Sequence, residues 1–365
     1  MKNITLELTP QTTIVVCAFL LSLCGILTIA SSQSAAVSSL KLVIRQSSFL
    51  FVSLAVLGAA AAVRFSWWQK AAPYLAGITW GILFYLPFSG LKINQMAGWL
   101  KIGSFSLQPS ELGRVIFLLI LAKLLCSDKK EPFKFVIVVA FTGLWLFPIA
   151  MQPDFGMVFV YSITFMITTY LAGISLRCLA VLPTLACLLA CGVLWKYPYV
   201  VRRLSGFLYP ELDPLGSGWH VRQFSLAVSR GGWNGSKIGG AMWSNAYLPF
   251  SYNDSAGAAL LETIGWAGAA IPALLFSALT VSYCKLALNA GFSRQAQIVI
   301  AGTAVFTAVQ MLTHMAINLT LIPPSGLVLP YISYGGSALV SLFLMTGIAL
   351  SAAKEEKNLL PTETK

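Results

Sequence analysis

Two carboxylates stand eight residues apart in "LPFSYNDSAGAALLETIGWAGA", residues 248–269: Asp254 just outside an apolar run and Glu262 just inside it. A carboxylate at the edge of an apolar helix has two uses. It can cap the helix by accepting hydrogen bonds from the first free amides. If solvent reaches it, it can act as a general base on a hydroxyl. Asp254 is open to both. Glu262 lies two turns deeper, where an acid must be paired or protonated. The chain before them, 196–255, carries Lys196, Arg202, Arg203, Arg222, Arg230 and Lys237 against Glu211, Asp213 and Asp254. That excess of cations fits an anionic partner, such as a lipid phosphate or pyrophosphate, as well as ordinary anchoring to headgroups.

Three other stretches carry polar groups into apolar surroundings. In "WLKIGSFSLQPSELGR", 99–114, Pro109 and Ser110 can open a helix whose first turn holds Glu111. Arg114 follows at i+3, so the two can pair on one face, and a structural ion pair is expected ahead of direct catalysis. In "MQPDFGM", 151–157, Pro153 and Gly156 break the chain around Asp154, which either caps the next helix or lines an outward cavity. In "HMAINLTLIPPSGLVLPYISYGGSAL", 314–339, prolines and glycines break the backbone between two apolar runs. Broken backbone is tolerated at membrane depth only where it is buried in protein or lines a cavity. His314 and Asn318, one turn apart ahead of the break, are expected to hydrogen-bond between helices, ahead of a proton relay.

Long apolar elements must position these groups. The chain is 57% hydrophobic and 10% charged over 365 residues, with mean hydropathy +0.79. A soluble domain holds about 25% charged residues. Ten apolar segments can be counted, at about 14–32, 48–63, 73–90, 112–126, 135–151, 155–172, 178–195, 256–283, 297–319 and 329–352. The fold expected is an all-α polytopic integral membrane protein of about ten transmembrane helices. It forms a single membrane domain over 1–365, with one large loop, 196–255, between helices 7 and 8. The first segment reads as a retained helix rather than a cleaved signal.

Basic residues in short loops set the orientation. With the N-terminus inside, Lys2, Arg64, Lys70, Lys129, Lys130, Lys134, Arg177, Lys285, Arg294, Lys354, Lys357 and Lys365 fall inside. Lys41, Arg45, Lys92, Lys101 and Arg114 fall outside. Both termini are therefore expected in the cytoplasm and the large loop outside. Within that loop, "WHVRQFSLAVS" places Val221, Phe224 and Val228 on one helical face, the pattern of a short helix lying in the membrane interface. "GGWNGSKIGG" forms a backbone-rich turn able to approach a ligand closely. The seven cysteines include no CxxC, and neither a disulfide framework nor a metal-thiolate site is expected.

Taken in order, "GSFSLQPSEL", "QPDFG", "RRLSGFLYP" with its DP, Q, S, A and GG continuation, "LP" with a following Asp and "ETIG", and "IPPSG" leading to "LPYISYGGSAL" resemble the SEDS family (shape, elongation, division and sporulation). That family includes FtsW, RodA and SpoVE. The resemblance covers roughly 90–350, and the loop wording is closer to FtsW or SpoVE than to RodA. It implies a glycosyltransferase of the bacterial cytoplasmic (inner) membrane that polymerises lipid II on the outer face, in cell division or cell shape. Its implied partners are lipid II, membrane lipids, a class B penicillin-binding protein transpeptidase and other division or elongation proteins; no nucleic acid is expected.

By the resemblance, Asp254 is the base on the acceptor 4-hydroxyl. For the chemistry so implied, Arg202, Arg203, Arg222, Lys237 and Gln223 are the loop's candidates for binding substrate and its pyrophosphate, with a divalent cation (Mg or Mn) as a candidate cofactor. Glu111, Arg114 and Asp154 shape the cavity, and Glu262 orients loop residues. Arg114 stands where the family usually has Lys, and "LPFSYNDS" departs from the family wording at Phe250, Tyr252, Asn253 and Ser255. A lipid II flippase without chemistry is the alternative. Clustering of the unusual groups on the expected outer side argues against it, because a transport path needs polar groups through the midplane. A scaffold for a transpeptidase is a third reading, under which Asp254 would be dispensable.

Overall fold

The computed structural model describes residues 9–32, 39–88, 96–103 and 105–359. Lys2, Lys92 and Lys365, which enter the charge count above, lie outside the described residues. Hydrocarbon offers no partner to a free amide or carbonyl, so the apolar runs fold as helices. They are α1 (Pro10–Ser32), α2 (Ser39–Ala62), α3 (Phe65–Tyr85), α4 (Pro109–Leu125), α5 (Glu131–Met151), α6 (Phe155–Leu171), α7 (Leu176–Leu179) and α8 (Val181–Lys196). After the large loop come α12 (Ala256–Ala287), α13 (Arg294–Asn318) and α14 (Gly336–Leu359). The loop itself folds as α9 (Pro198–Leu208), α10 (Trp219–Gly231) and α11 (Met242–Ala246).

Among the described residues, seven helices are long and apolar enough to cross a membrane: α1, α2, α3, α5, α12, α13 and α14. The expected segments at 112–126 and 155–172 form α4 and α6, of 17 residues each, and the one at 178–195 is interrupted at Ala180. One feature departs from the all-α expectation. Two short strands, β1 (Leu100–Ile102) and β2 (Phe105–Leu107), pair antiparallel, with Lys101 opposite Ser106.

Of the seven long helices, α13 and α14 are the most buried. α13 packs on α4, α6, α12 and α14, while α2 lies along α14 and α1 along α12. One stripe of α13 is polar yet buried: Thr303, Thr307, Gln310, His314 and Asn318. Its spacing of three and four residues puts these side chains on a single face. That face holds the broken segment 319–335. Gln310 Nε2 donates to the Val328 carbonyl at 3.0 Å, and His314 Nδ1 meets the Leu327 carbonyl at 2.8 Å. From α2, Gln46 Nε2 donates to the Ser333 carbonyl at 3.2 Å. Backbone groups that no helix satisfies are thus met by side chains inside the protein.

Two sequence expectations change in the loop. The apolar face of α10 packs on α12 and α13, with Val221, Phe224 and Ala227 buried, rather than lying against lipid. The glycine-rich turn also closes on protein. α12 is broken at Gly265 (φ 66°, ψ −177°). The backbone groups freed there pair with the turn: Ser236 N–H to the Glu262 carbonyl at 2.9 Å, Trp266 N–H to Gly232 at 3.1 Å and Ala267 N–H to Trp233 at 3.0 Å. A Cβ on Gly235 would stand 2.4 Å from the Thr263 carbonyl oxygen. The close approach that the glycines permit is therefore to a kinked helix.

Gly265 also lies in a backbone region open essentially to glycine alone. A Cβ there would fall 2.3 Å from the Gly235 nitrogen. Gly265→Ala is expected to lose at least about 1–3 kcal/mol of stability from backbone strain. Thermal unfolding in detergent would show it as a clear fall in midpoint. Gly143→Ala is the control, since a Cβ there meets nothing within 4 Å and the melt should not move.

Candidate functional site

Asp254 lies where the large loop enters α12, and three consecutive carbonyls fix the backbone beneath it. Tyr252 C=O accepts from Tyr334 N–H at 2.7 Å, Asn253 C=O from Ser333 Oγ at 2.7 Å and Asp254 C=O from Asn318 Nδ2 at 3.1 Å. The Tyr252 and Tyr334 rings meet edge to face at 5.7 Å. The side chain is treated differently. The half-buried Asp254 carboxylate accepts no hydrogen bond and makes no ion pair with any described residue, and its Oδ2 faces Gly326. Partial burial lifts its carboxyl to about 7, although Arg203 pulls it down; Asp154 adds a push upward. An unpartnered carboxylate with its proton affinity near neutrality has the properties of a general base.

Asp154 is the opposite case. Its Oδ1 caps α6 by accepting from Met157 N–H at 3.1 Å, and its Oδ2 accepts from Gln108 Nε2 at 3.0 Å. Burial still raises it to about 6, against those two hydrogen bonds and the charge of Arg114. Gln108 precedes the helix that carries Glu111 and Arg114. These two pair at i,i+3 and are both buried. The Arg114 guanidinium also lies 5.1 Å from the centre of the Phe306 ring, and Ser341 Oγ donates to the Glu111 carbonyl. Arg203, Asp254, Asp154 and Arg114 therefore form a chain of electrostatic neighbours running from the loop into the helices.

The remaining candidates divide. Arg202 and Arg203 are exposed on α9, with Arg203 over Tyr199 at 5.6 Å. Arg222 reaches Glu211 at 3.5 Å on the surface. Gln223 is buried on α10, and its Oε1 meets no partner among the described residues. Lys237 is exposed in a left-handed conformation (φ 71°) beside the α12 kink. Its neighbour Ser236 bonds at the level of Glu262, which is eight residues along the chain from Asp254, or about 12 Å at 1.5 Å per residue. Lys237 is thus not gathered with Asp254.

Glu262 is buried and holds α11. It accepts from Trp243 N–H at 2.9 Å, Ser244 N–H at 2.7 Å and Ser244 Oγ. Three donors allow a buried carboxylate without a cation. Glu262→Leu strands those amides and is expected to cost about 1–3 kcal/mol locally. Hydrogen exchange should speed up in 242–246 and stay unchanged in α5.

Sequence reasoning passed over Gln108 and Gln46 as working residues. The available signal was an amide side chain set in or against an apolar helix.

Comparison with known proteins decides the family. The family described as "Cell cycle protein", FtsW/RodA/SpoVE, matches residues 11–358. The chain belongs to this family. Among its relatives, the "Probable peptidoglycan glycosyltransferase FtsW" of Pseudoalteromonas translucida is 32% identical over 327 residues, 86% of this chain and 80% of its own. The fold is shared with a solved structure described as "Structural coordination of polymerization and crosslinking by a peptidoglycan synthase complex" (TM-score 0.79, 24% identity, 94% of this chain and 97% of that one). It is also shared with the rod shape determining protein RodA of Thermus thermophilus (TM-score 0.69, 20% identity, 94% and 96%). The motifs singled out in the sequence meet here from separate parts of the chain. Gln108, Glu111 and Arg114 open α4, Asp154 caps α6, Asp254 precedes α12, and the "LPYISYGG" segment docks beneath Asp254.

Proposed function

We propose that this protein polymerises peptidoglycan glycan strands from lipid II at the outer face of the bacterial cytoplasmic membrane. The observation that carries the reading is the Asp254 carboxylate, docked by its backbone and without a partner at its oxygens among the described residues. Asp254 takes the proton from the acceptor sugar's 4-hydroxyl as that oxygen attacks the donor's anomeric carbon. The new C–O bond forms with inversion, the anomeric carbon–oxygen bond to phosphate breaks, and undecaprenyl pyrophosphate leaves with its electron pair. Arg203 is the cation best placed to meet that charge; Arg202 and Arg222, exposed on the same loop, and Gln223 complete the anion-binding side. Lys237 belongs to the lipid or pyrophosphate path only if substrate extends along α12.

The arrangement that serves this chemistry is one membrane domain of ten spanning segments. Both termini are cytoplasmic, as the basic residues favour, and the 196–255 loop lies outside. A class B penicillin-binding protein crosslinks the product strands, and the likeness to FtsW supports a division role. Among the described residues, no group of three or more His, Cys, Asp or Glu could hold a metal ion. A divalent cation would therefore depend on Asp254 and the substrate's own phosphates, as Mg²⁺ sites often do. It would neutralise pyrophosphate charge when bound, and no step above requires it.

The test is strand formation from fluorescent lipid II by the purified protein with its transpeptidase partner, the partner's own active site blocked. Strands of increasing length support the reading. Lipid II crossing liposomes with no strands formed would replace it with a flippase.

A further inference from the structure

The first turn of a helix leaves amides without partners, and a side chain at its start normally takes those of the second and third residues. Asp154 does this for α6. Asp254, one residue ahead of the N-cap Ser255, does not do so for α12. The helix begins at Ala256, and Ser255, which precedes it, makes no capping bond; its hydroxyl goes instead to the Pro249 carbonyl at 2.5 Å. The second and third amides are taken from another helix. Gly257 N–H donates to His314 Nε2 at 3.2 Å, and Ala258 N–H donates to Asn318 Oδ1 at 2.9 Å. His314 Nδ1 faces the Leu327 carbonyl, so the proton sits on that nitrogen and Nε2 is left as an acceptor. Asn318 Nδ2 reaches back to the Asp254 and His314 carbonyls, at 3.1 Å each. Both side chains are fully buried.

We infer that His314 and Asn318 are positioning residues for the reaction: they cap α12 in place of Asp254 and hold its backbone, which keeps the Asp254 carboxylate free to take a proton. The inference rests on the reading of Asp254 as the base. Without His314 or Asn318, the side chains just ahead of the stranded amides are the Ser255 hydroxyl, already given to the Pro249 carbonyl, and the Asp254 carboxylate, the stronger acceptor of the two. Turned onto them, it becomes a helix cap, loses its proton more readily and points away from substrate. The other groups that bear on Asp254 stay in place: Arg203 from α9, Asp154 at the head of α6, and Tyr252 with its neighbour Tyr334.

The test uses the full-length protein in detergent. Dicyclohexylcarbodiimide, which modifies protonated carboxyls, is applied across a pH series, and labelling of Asp254 is read by mass spectrometry. His314→Leu and the milder Asn318→Ala are expected to move half-labelling of Asp254 down by more than about one pH unit. Their rates of strand formation from lipid II are expected to fall roughly 10- to 100-fold with KM little changed. His314→Gln, which returns an acceptor to Gly257, should restore both readings toward wild type. Folded variants with half-labelling at the wild-type pH would overturn the inference, whatever their rates. Equal strand formation by wild type and Asp254→Asn would instead remove the base, and with it any role of the clamp in the reaction, even if the labelling shifts.

Discussion

Asp254→Asn is expected to cut strand formation by about 10²–10⁴-fold, the usual contribution of a positioned general base, and to leave the protein folded. The second half of that expectation comes from the geometry. The carboxylate accepts nothing from the described residues, so an isosteric amide strands no donor, and the three docked carbonyls beneath it belong to the backbone. A rate retained in Asp254→Asn would sink the base assignment. The pH dependence is a second reading of the same group. With its carboxyl lifted to about 7 from an ordinary 3.8, Asp254 is ionised only in part at neutrality, and the wild-type rate should climb between about pH 6 and 8. An acid limb near pH 4 would contradict this. Stability carries the opposite sign. Between the unfolded and folded values the native state keeps a proton that the unfolded chain has released, so Asp254 makes stability fall as pH rises from about 4 to 7. Asp254→Asn should flatten that slope in pH-dependent melts.

The sequence shows which groups are out of place in an apolar chain, and it shows little of what each one meets. Glu111 and Arg114 are the exception, because i,i+3 spacing on a helix is a statement about contact. Asp254 could be read as cap or base, and spacing alone could not choose. The residues that free it lie about sixty positions later, on a helix that packs against it only in the folded protein. Glu262 is tied to Trp243 and Ser244 across a loop, and Asp154 to Gln108 across two whole helices, α4 and α5. Neither link leaves a periodic trace. The glycines of 231–240 announce a close approach but not its object, which turned out to be the kink at Gly265. Six cations in one loop establish a field; their distances from Asp254 depend on how α9, α10 and the kink are stacked.

Arg114→Met alone is expected to be the most damaging single change to stability, at about 3–5 kcal/mol, a large share of the 5–15 kcal/mol that holds an ordinary domain together. The guanidinium is fully buried, and its removal leaves the Glu111 carboxylate charged in a low-dielectric interior. The double change Glu111→Gln with Arg114→Met removes both charges and should recover most of the loss, which melts in detergent would measure. If the double mutant melts no higher than Arg114→Met alone, the pair is not acting as a pair.

The double mutant also separates fold from chemistry. Arg114 is one of the influences that hold the Asp154 proton affinity down, and Asp154 in turn pushes that of Asp254 up. Without Arg114, Asp154 stays protonated to higher pH, its charge near Asp254 weakens, and the base ionises more easily. The acid limb of strand formation should therefore move to lower pH in a protein that is folded and carries an unaltered Asp254. A limb that stays in place would confine the ion pair to holding α4 together, whereas a shifted one would show that its charge is felt at the base.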